Sequence, residues 1–136
     1  LPGNNMPSSR RGVEMTRSPE AETKVAETAY CWLRYKNYGS ETKALHALRR
    51  RKGMGHLSKD AAKHLLDKAV EILLRTEALR EETAARFGKP SFFHLTEEQF
   101  QSGVEKARVS LLKEFPDHEA TIHYMLGMLW EMAYRR

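Results

Sequence analysis

After residue 17, apolar residues recur at helical spacing along most of the chain. Intervals of four, three and one define one face of a first helix: Val25, Ala29, Trp32 and Leu33. Ser18 and Pro19 precede this face and suit a helix start, because serine caps free amides and proline fits the first helical position. We predict that this helix ends at the Asn37–Ser40 sequence, with Gly39 as its left-handed cap.

The same period predicts a short second helix and a long third one. The second helix would follow Ser40 and stop at Gly53 and Gly55. The third would run from Ser58 to about Phe87, before a glycine and a proline. Its apolar stripe is interrupted at Thr76 and Arg80, so the helix either projects past the core there, or bends or breaks.

Two further helices complete the pattern. Residues 91–95, SFFHL, form a short apolar connector that is expected to plug the core. Thr96 and Gln99 match the capping box that starts a helix, and Pro116 ends that helix. Asp117 would cap the last helix. Its predicted buried face is formed by Ile122, Met125, Leu126, Leu129, Met132 and Ala133.

The predicted fold class is therefore all-α, a compact bundle of about five helices forming one domain over residues 18–136. Residues 1–17 are polar, basic and without periodicity, which predicts a flexible arm. No apolar run approaches the ~20 residues that cross a bilayer, so no membrane partner is expected. Cys31 is the single cysteine, which fits a reducing compartment and favours a cytoplasmic location.

Charge changes this picture, because the net charge of +5 is concentrated in the first half of the chain. Residues 34–63 hold nine cations and two acids, a local net charge of +7. Tyr35 and Tyr38 lie among these cations, and aromatic rings can stack on unpaired bases. We therefore predict a nucleic-acid-binding surface. Its candidate residues are Arg34, Lys36, Lys43, Arg49, Arg50, Arg51, Lys52, Lys59 and Lys63.

A purely structural interpretation of the same segment stays open. Cations in the last turn of a helix complement its negative end, and a glycine after them is the usual stop. The sequence Arg49 to Gly55 fits that description without any ligand. It does not fit a nucleotide-binding P-loop, because its cations mostly precede the glycines and no strand precedes the loop.

The last helix, residues 117–136, offers a second binding surface. Methionine and aromatic residues are frequent at adaptable protein interfaces. This helix could contact another protein or a second copy of the chain in a homodimer, or it could simply be the central helix of the bundle. The candidate interface residues are Met125, Met128, Trp130, Met132 and Tyr134.

Catalytic chemistry finds little support, and no catalytic residue, metal ligand or cofactor is assigned. His118 and His123 are five residues apart, which places them about 140° apart around a helix and excludes the zinc-protease pattern. Two acid–histidine pairs at spacing four, Asp60 with His64 and Glu119 with His123, leave a metal-dependent enzyme as a remote alternative. The sequence favours a non-enzymatic binding module.

Overall fold

A computed structural model describes residues 18–136 of the chain. Over this range every regular element is helical, which confirms the all-α prediction and the number of about five helices. The elements are α1 Pro19–Tyr35, α2 Glu41–Arg49, α3 Lys59–Arg86, a 3₁₀ turn Phe92–His94, α4 Glu97–Glu114, α5 Glu119–Leu126 and a π-helical continuation Gly127–Met132. The predicted arm, residues 1–17, lies outside the described residues. None of the described helices is long and apolar enough to cross a membrane.

By internal contacts the chain divides into two units within α3, the first ending at Lys68 and the second beginning at Ala69. The described part of the first unit contains α1, α2 and the start of α3. It carries a net charge of +5, whereas the second unit carries −2. The single domain predicted over residues 18–136 stays a prediction.

Serine caps start all three helices of the first unit, as predicted. Ser18, Ser40 and Ser58 each accept a hydrogen bond from the backbone N–H three residues later, at 3.0–3.2 Å. These bonds satisfy amides that the helix itself leaves unpaired. The buried apolar residues of this unit include Val25, Ala26, Ala29, Leu45, Leu48, Met54, Leu57 and Leu66.

The end of α1 differs from the prediction that Gly39 caps it. The left-handed cap is Lys36, with φ 59°, and the backbone is left-handed again at Tyr38 and Gly39. The chain therefore turns immediately after Tyr35 and turns a second time before α2. Lysine rarely adopts positive φ, so no sequence rule points to this position. Gly53 has φ +82° after the end of α2, as expected of a stop glycine.

The second unit is built on the remainder of α3, which neither breaks nor leaves the core at Thr76. Thr76 and Thr83 are buried, and each hydroxyl donates to the backbone carbonyl four residues earlier, at 2.7 Å. A threonine satisfied in this way can occupy an apolar face. The predictions that α3 breaks or leaves the core at Thr76 are therefore wrong.

The connector between α3 and α4 enters the core in part. Phe92 and Leu95 are buried, but Phe93 is 57% exposed. The predicted capping box is confirmed, since Gln99 N donates to Thr96 Oγ1 at 3.2 Å and Thr96 N donates to Gln99 Oε1 at 3.0 Å. This reciprocal pair fixes the start of α4.

The last helix is anchored by aromatic rings. Trp130 is fully buried, its ring lies 5.0 Å from that of Phe92, and its Nε1 donates to Thr76 O at 3.0 Å. The Tyr134 ring stacks on Phe100 at 4.1 Å. The N-cap of α5 is His118, without a side-chain cap bond, so the prediction that Asp117 caps this helix is wrong.

Candidate nucleic-acid interface

Arg51, the third cation of the basic run, is fixed by contacts with α1. One guanidinium nitrogen lies 2.6 Å from the Glu27 carboxylate, and the other donates to Lys24 O at 3.0 Å and to Thr28 Oγ1 at 3.4 Å. These bonds occupy both terminal nitrogens of the guanidinium, which would otherwise be free to bind a phosphate. Arg51 therefore has a structural task, and its charge is locally neutralised.

The turn between α2 and α3 uses two more cations. Lys24 Nζ donates to Lys52 O at 2.6 Å, and Arg49 Nε donates to Leu57 O at 3.0 Å. Met54 and Leu57 are buried inside the turn. This part of the basic segment thus has the purely structural explanation that the sequence left open.

Lys63 is also neutralised within the unit. Its ammonium group lies 3.2 Å from Glu41 and 3.2 Å from Asp67. The hydrogen bonds to Asp67 and Glu41 raise the pKa of Lys63. Glu41 is the only acid in α2, and its position two residues before Lys43 places it about 160° away from that lysine around the helix axis.

The solvent-facing side of α2 carries cations and no acid. Lys43 and Arg50 are seven residues apart and therefore differ by only about 20° around the helix axis. His46 is exposed about 60° from Lys43 around the axis, and Arg49 is exposed at the edge of this side, since it follows the buried Leu45 by four residues. We call Lys43, His46, Arg49 and Arg50 the basic face of α2. The sequence-based prediction omitted His46, although its position three residues after Lys43 was a signal for it.

The remaining predicted cations are exposed but lie outside α2. Arg34 and Lys36 are at the end of α1, Lys52 is in the turn, and Lys59 is the first residue of α3. The structure thus places two of the nine candidate residues, Lys43 and Arg50, on one helix face and a third, Arg49, at the edge of that face.

Two tyrosines precede the basic face in the chain. Tyr35 is 54% exposed and Tyr38 is 37% exposed. The Tyr35 ring meets the Tyr30 ring edge-on, with centroids 5.4 Å apart. Tyr38 lies in the left-handed backbone region at φ 73°, only two residues before the N-cap Ser40.

The candidate interface on the last helix is mostly inside the second unit. Met125 and Trp130 are fully buried, Met128 and Tyr134 are half-buried, and Met132 is 46% exposed. Tyr134 also donates its hydroxyl to Leu95 O at 2.6 Å. A protein partner or homodimer at this helix stays a prediction, with Met132 as its exposed residue.

Metal chemistry gains no support from the described part of the chain. Within residues 18–136 no three His, Cys, Asp or Glu side chains are grouped so that they could hold a metal ion. Comparisons with protein-family models, curated proteins and solved structures found no match. Function is therefore inferred from the side chains themselves.

Proposed function

We propose that the chain is a non-enzymatic nucleic-acid-binding module whose contact surface is the basic face of α2. The observation that carries the proposal is the absence of any acid on the exposed side of this helix, while its one acid, Glu41, pairs with Lys63. An acid on that side would repel phosphates and offset the cations. A phosphate backbone would therefore meet uncompensated positive charge.

The spacing of the basic face suits a charged polymer. Lys43 and Arg50 are about 10.5 Å apart along the helix axis, because each residue rises 1.5 Å. His46 stands between them and can donate a hydrogen bond to a phosphate oxygen. Such contacts neutralise several phosphates in a row and release counterions, which makes binding salt-dependent. We include in this proposal the cytoplasmic location expected from the single cysteine, because nucleic acid is available in that compartment.

The test is a binding titration with a matched charge control. The variant Lys43→Gln/Arg50→Gln removes two charges from the basic face. The control Lys106→Gln/Lys113→Gln removes two exposed charges with the same seven-residue spacing from α4 in the second unit. Fluorescence anisotropy with labelled single strands and duplexes of DNA and RNA, from low to physiological salt, measures all three proteins.

The expected result is a selective effect of the first variant. The slope of log affinity against log salt should fall by about 1.4 for a single strand or about 1.8 for a duplex, because two phosphate contacts are lost. The control should keep the slope of the unchanged protein. Equal losses in both variants would mean that net charge, not the basic face, attracts the polymer. Absence of binding at physiological salt would also refute the proposal.

A further inference from the structure

We infer that the nucleic acid bound by this chain is single-stranded, and that Tyr38 is the surface on which an unpaired base stacks. This inference rests on the proposed function, since it needs the basic face to hold the phosphates. Beyond the proposed function, it specifies that the strand is single and that Tyr38 distinguishes it from a duplex.

The exposed aromatic side chains of the first unit are close together in the chain. Among the described residues of the first unit, the large hydrophobic side chains that are exposed are Tyr35 and Tyr38, both tyrosines and both beside Lys36. Scattered exposed apolar residues need no explanation. Two aromatic rings in four consecutive residues, directly before a helix with a basic face, match the combination of rings and cations that binds single strands.

Tyr38 has the freer ring of the two tyrosines. Within residues 18–136 its side chain forms neither a hydrogen bond nor a ring contact, whereas the Tyr35 ring lies edge-on against Tyr30. Tyr38 also has φ 73°, a region that bulky residues rarely adopt because the side chain crowds the backbone. Backbone conformations of this kind concentrate at functional sites. Tyr38 is therefore the better of the two rings for stacking.

Tyr38 is also close to the basic face along the chain. Two peptide units separate Tyr38 from the N-cap Ser40, so their Cα atoms are at most about 7.6 Å apart. Lys43 lies in the first turn of α2. A base on the Tyr38 ring and a phosphate on Lys43 are thus within reach of one short stretch of strand. In a duplex the bases are paired and stacked on one another, so the ring would find no base face.

The experiment compares strands that differ only in their bases. The full chain is titrated with labelled 12-mers of deoxythymidine, of uridine and of abasic deoxyribose phosphate, and with a 12-base-pair duplex, at one low salt concentration. The abasic strand keeps the phosphates and removes every stacking surface. We expect the thymidine and uridine strands to bind more tightly than the abasic strand or the duplex. A preference between the thymidine and the uridine strand shows whether the chain favours DNA or RNA.

Two variants test the assignment to Tyr38. Tyr38→Asn removes the ring and tolerates left-handed backbone, whereas Tyr38→Phe keeps the ring. Tyr38→Asn should weaken binding of the thymidine strand by about five- to tenfold and leave binding of the abasic strand unchanged. Tyr38→Phe should bind the thymidine strand as tightly as the unchanged protein does. Circular dichroism melting checks that each variant is folded. If Tyr38→Asn does not fold, Tyr38→Ser is used in its place, and the abasic comparison with the unchanged protein still decides whether binding depends on the bases.

The outcomes separate the two proposals. Equal affinity for the thymidine and abasic strands overturns the single-strand inference, even if Lys43→Gln/Arg50→Gln still weakens binding and keeps the proposed function. Base-dependent binding that Tyr38→Asn does not alter overturns the role of Tyr38. Absence of binding to every strand overturns both proposals.

Discussion

The guanidinium of Arg51 lies 2.6 Å from the carboxylate of Glu27, 24 residues earlier in the chain. Its neighbour Arg50 belongs to the basic face and is exposed. Two adjacent cations therefore differ in environment: Arg51 binds α1 and fixes the turn, whereas Arg50 faces solvent. A count of charges over this run overstates the charge that a ligand meets.

Replacing Arg51 with alanine should destabilise the chain, and replacing Arg50 should not. Arg51→Ala removes a partly exposed ion pair and a hydrogen bond to Lys24 O, which together are worth about 1–2 kcal/mol. Arg50→Ala should change the free energy of unfolding by less than about 0.5 kcal/mol. Urea unfolding followed by circular dichroism measures both. Equal stability of the two variants would contradict the inward position of Arg51.

Gly103 should tolerate no side chain, because α4 approaches α3 closely there. A Cβ at this position would lie 2.7 Å from Thr83 Cγ2 and 3.4 Å from the Trp130 ring. The Thr83 hydroxyl is hydrogen-bonded to Leu79 O, so its methyl group cannot turn away without losing that bond. Gly103→Ala should cost about 1–3 kcal/mol of unfolding free energy despite the better helix propensity of alanine.

Two companion variants isolate the methyl contact. Thr83→Ser removes the obstructing methyl group and keeps the hydroxyl, so Gly103→Ala should cost less in that background. At Gly127 the new Cβ would meet nothing within 4 Å outside its own helix backbone. Gly127→Ala should be neutral or stabilise by up to about 1 kcal/mol. If Thr83→Ser does not reduce the cost, the crowding has another source.

Acid should weaken the contact between α4 and the end of the chain. Arg135 donates to both oxygens of Glu97 at 3.0 Å, and this pair, with a further bond from Gln101, lowers the pKa of Glu97 to about 2. A folded-state pKa below the unfolded value of about 4.3 means that the stabilisation is present above that pH. It is lost as the pH falls toward 2.

The matching experiment compares Glu97→Gln with the unchanged protein in chemical unfolding at several pH values. The unchanged protein should be more stable at neutral pH, and the difference should shrink between about pH 4.5 and 2. Glu98→Gln removes the same charge one residue later and serves as control. Because the pair is exposed, added salt should reduce the difference. A difference that is constant with pH would refute this role of Glu97.

Trp130 should be the more sensitive of the two tryptophans. Trp130→Phe removes part of a fully buried ring and the Nε1 hydrogen bond to Thr76 O, at a cost of about 2–3 kcal/mol. Trp32→Phe changes a half-buried ring and should cost less than about 1 kcal/mol. Guanidinium unfolding monitored by circular dichroism ranks the two variants, and the reverse order would contradict the burial of Trp130.

Local signals in the sequence were sufficient for most helix starts. Ser18, Ser40 and Thr96 act as caps as predicted, because a cap depends on residues three positions away. The C-cap at Lys36 and the burial of Thr76 were not predictable in the same way. Lysine is rare at positive φ, and the burial of Thr76 depends on residues far away in the chain such as Trp130, which donates to Thr76 O.

The candidate site was predictable as a segment but not as a surface. Charge density alone identified residues 34–63. It could not separate Arg50 from Arg51, because the partner of Arg51 is Glu27 on another helix. Nor could it show that Glu41, the one acid of α2, pairs with Lys63.

The pairing of Lys63 has a consequence for chemical reactivity. Only an unprotonated amine attacks an acylating reagent, and the raised pKa of Lys63 reduces the fraction of its amine in that form. Lys43 has no such acidic partner among the described residues. A limiting dose of reagent should therefore label Lys43 before Lys63, so that lysine acylation separates cations already neutralised by the protein from those available to a ligand.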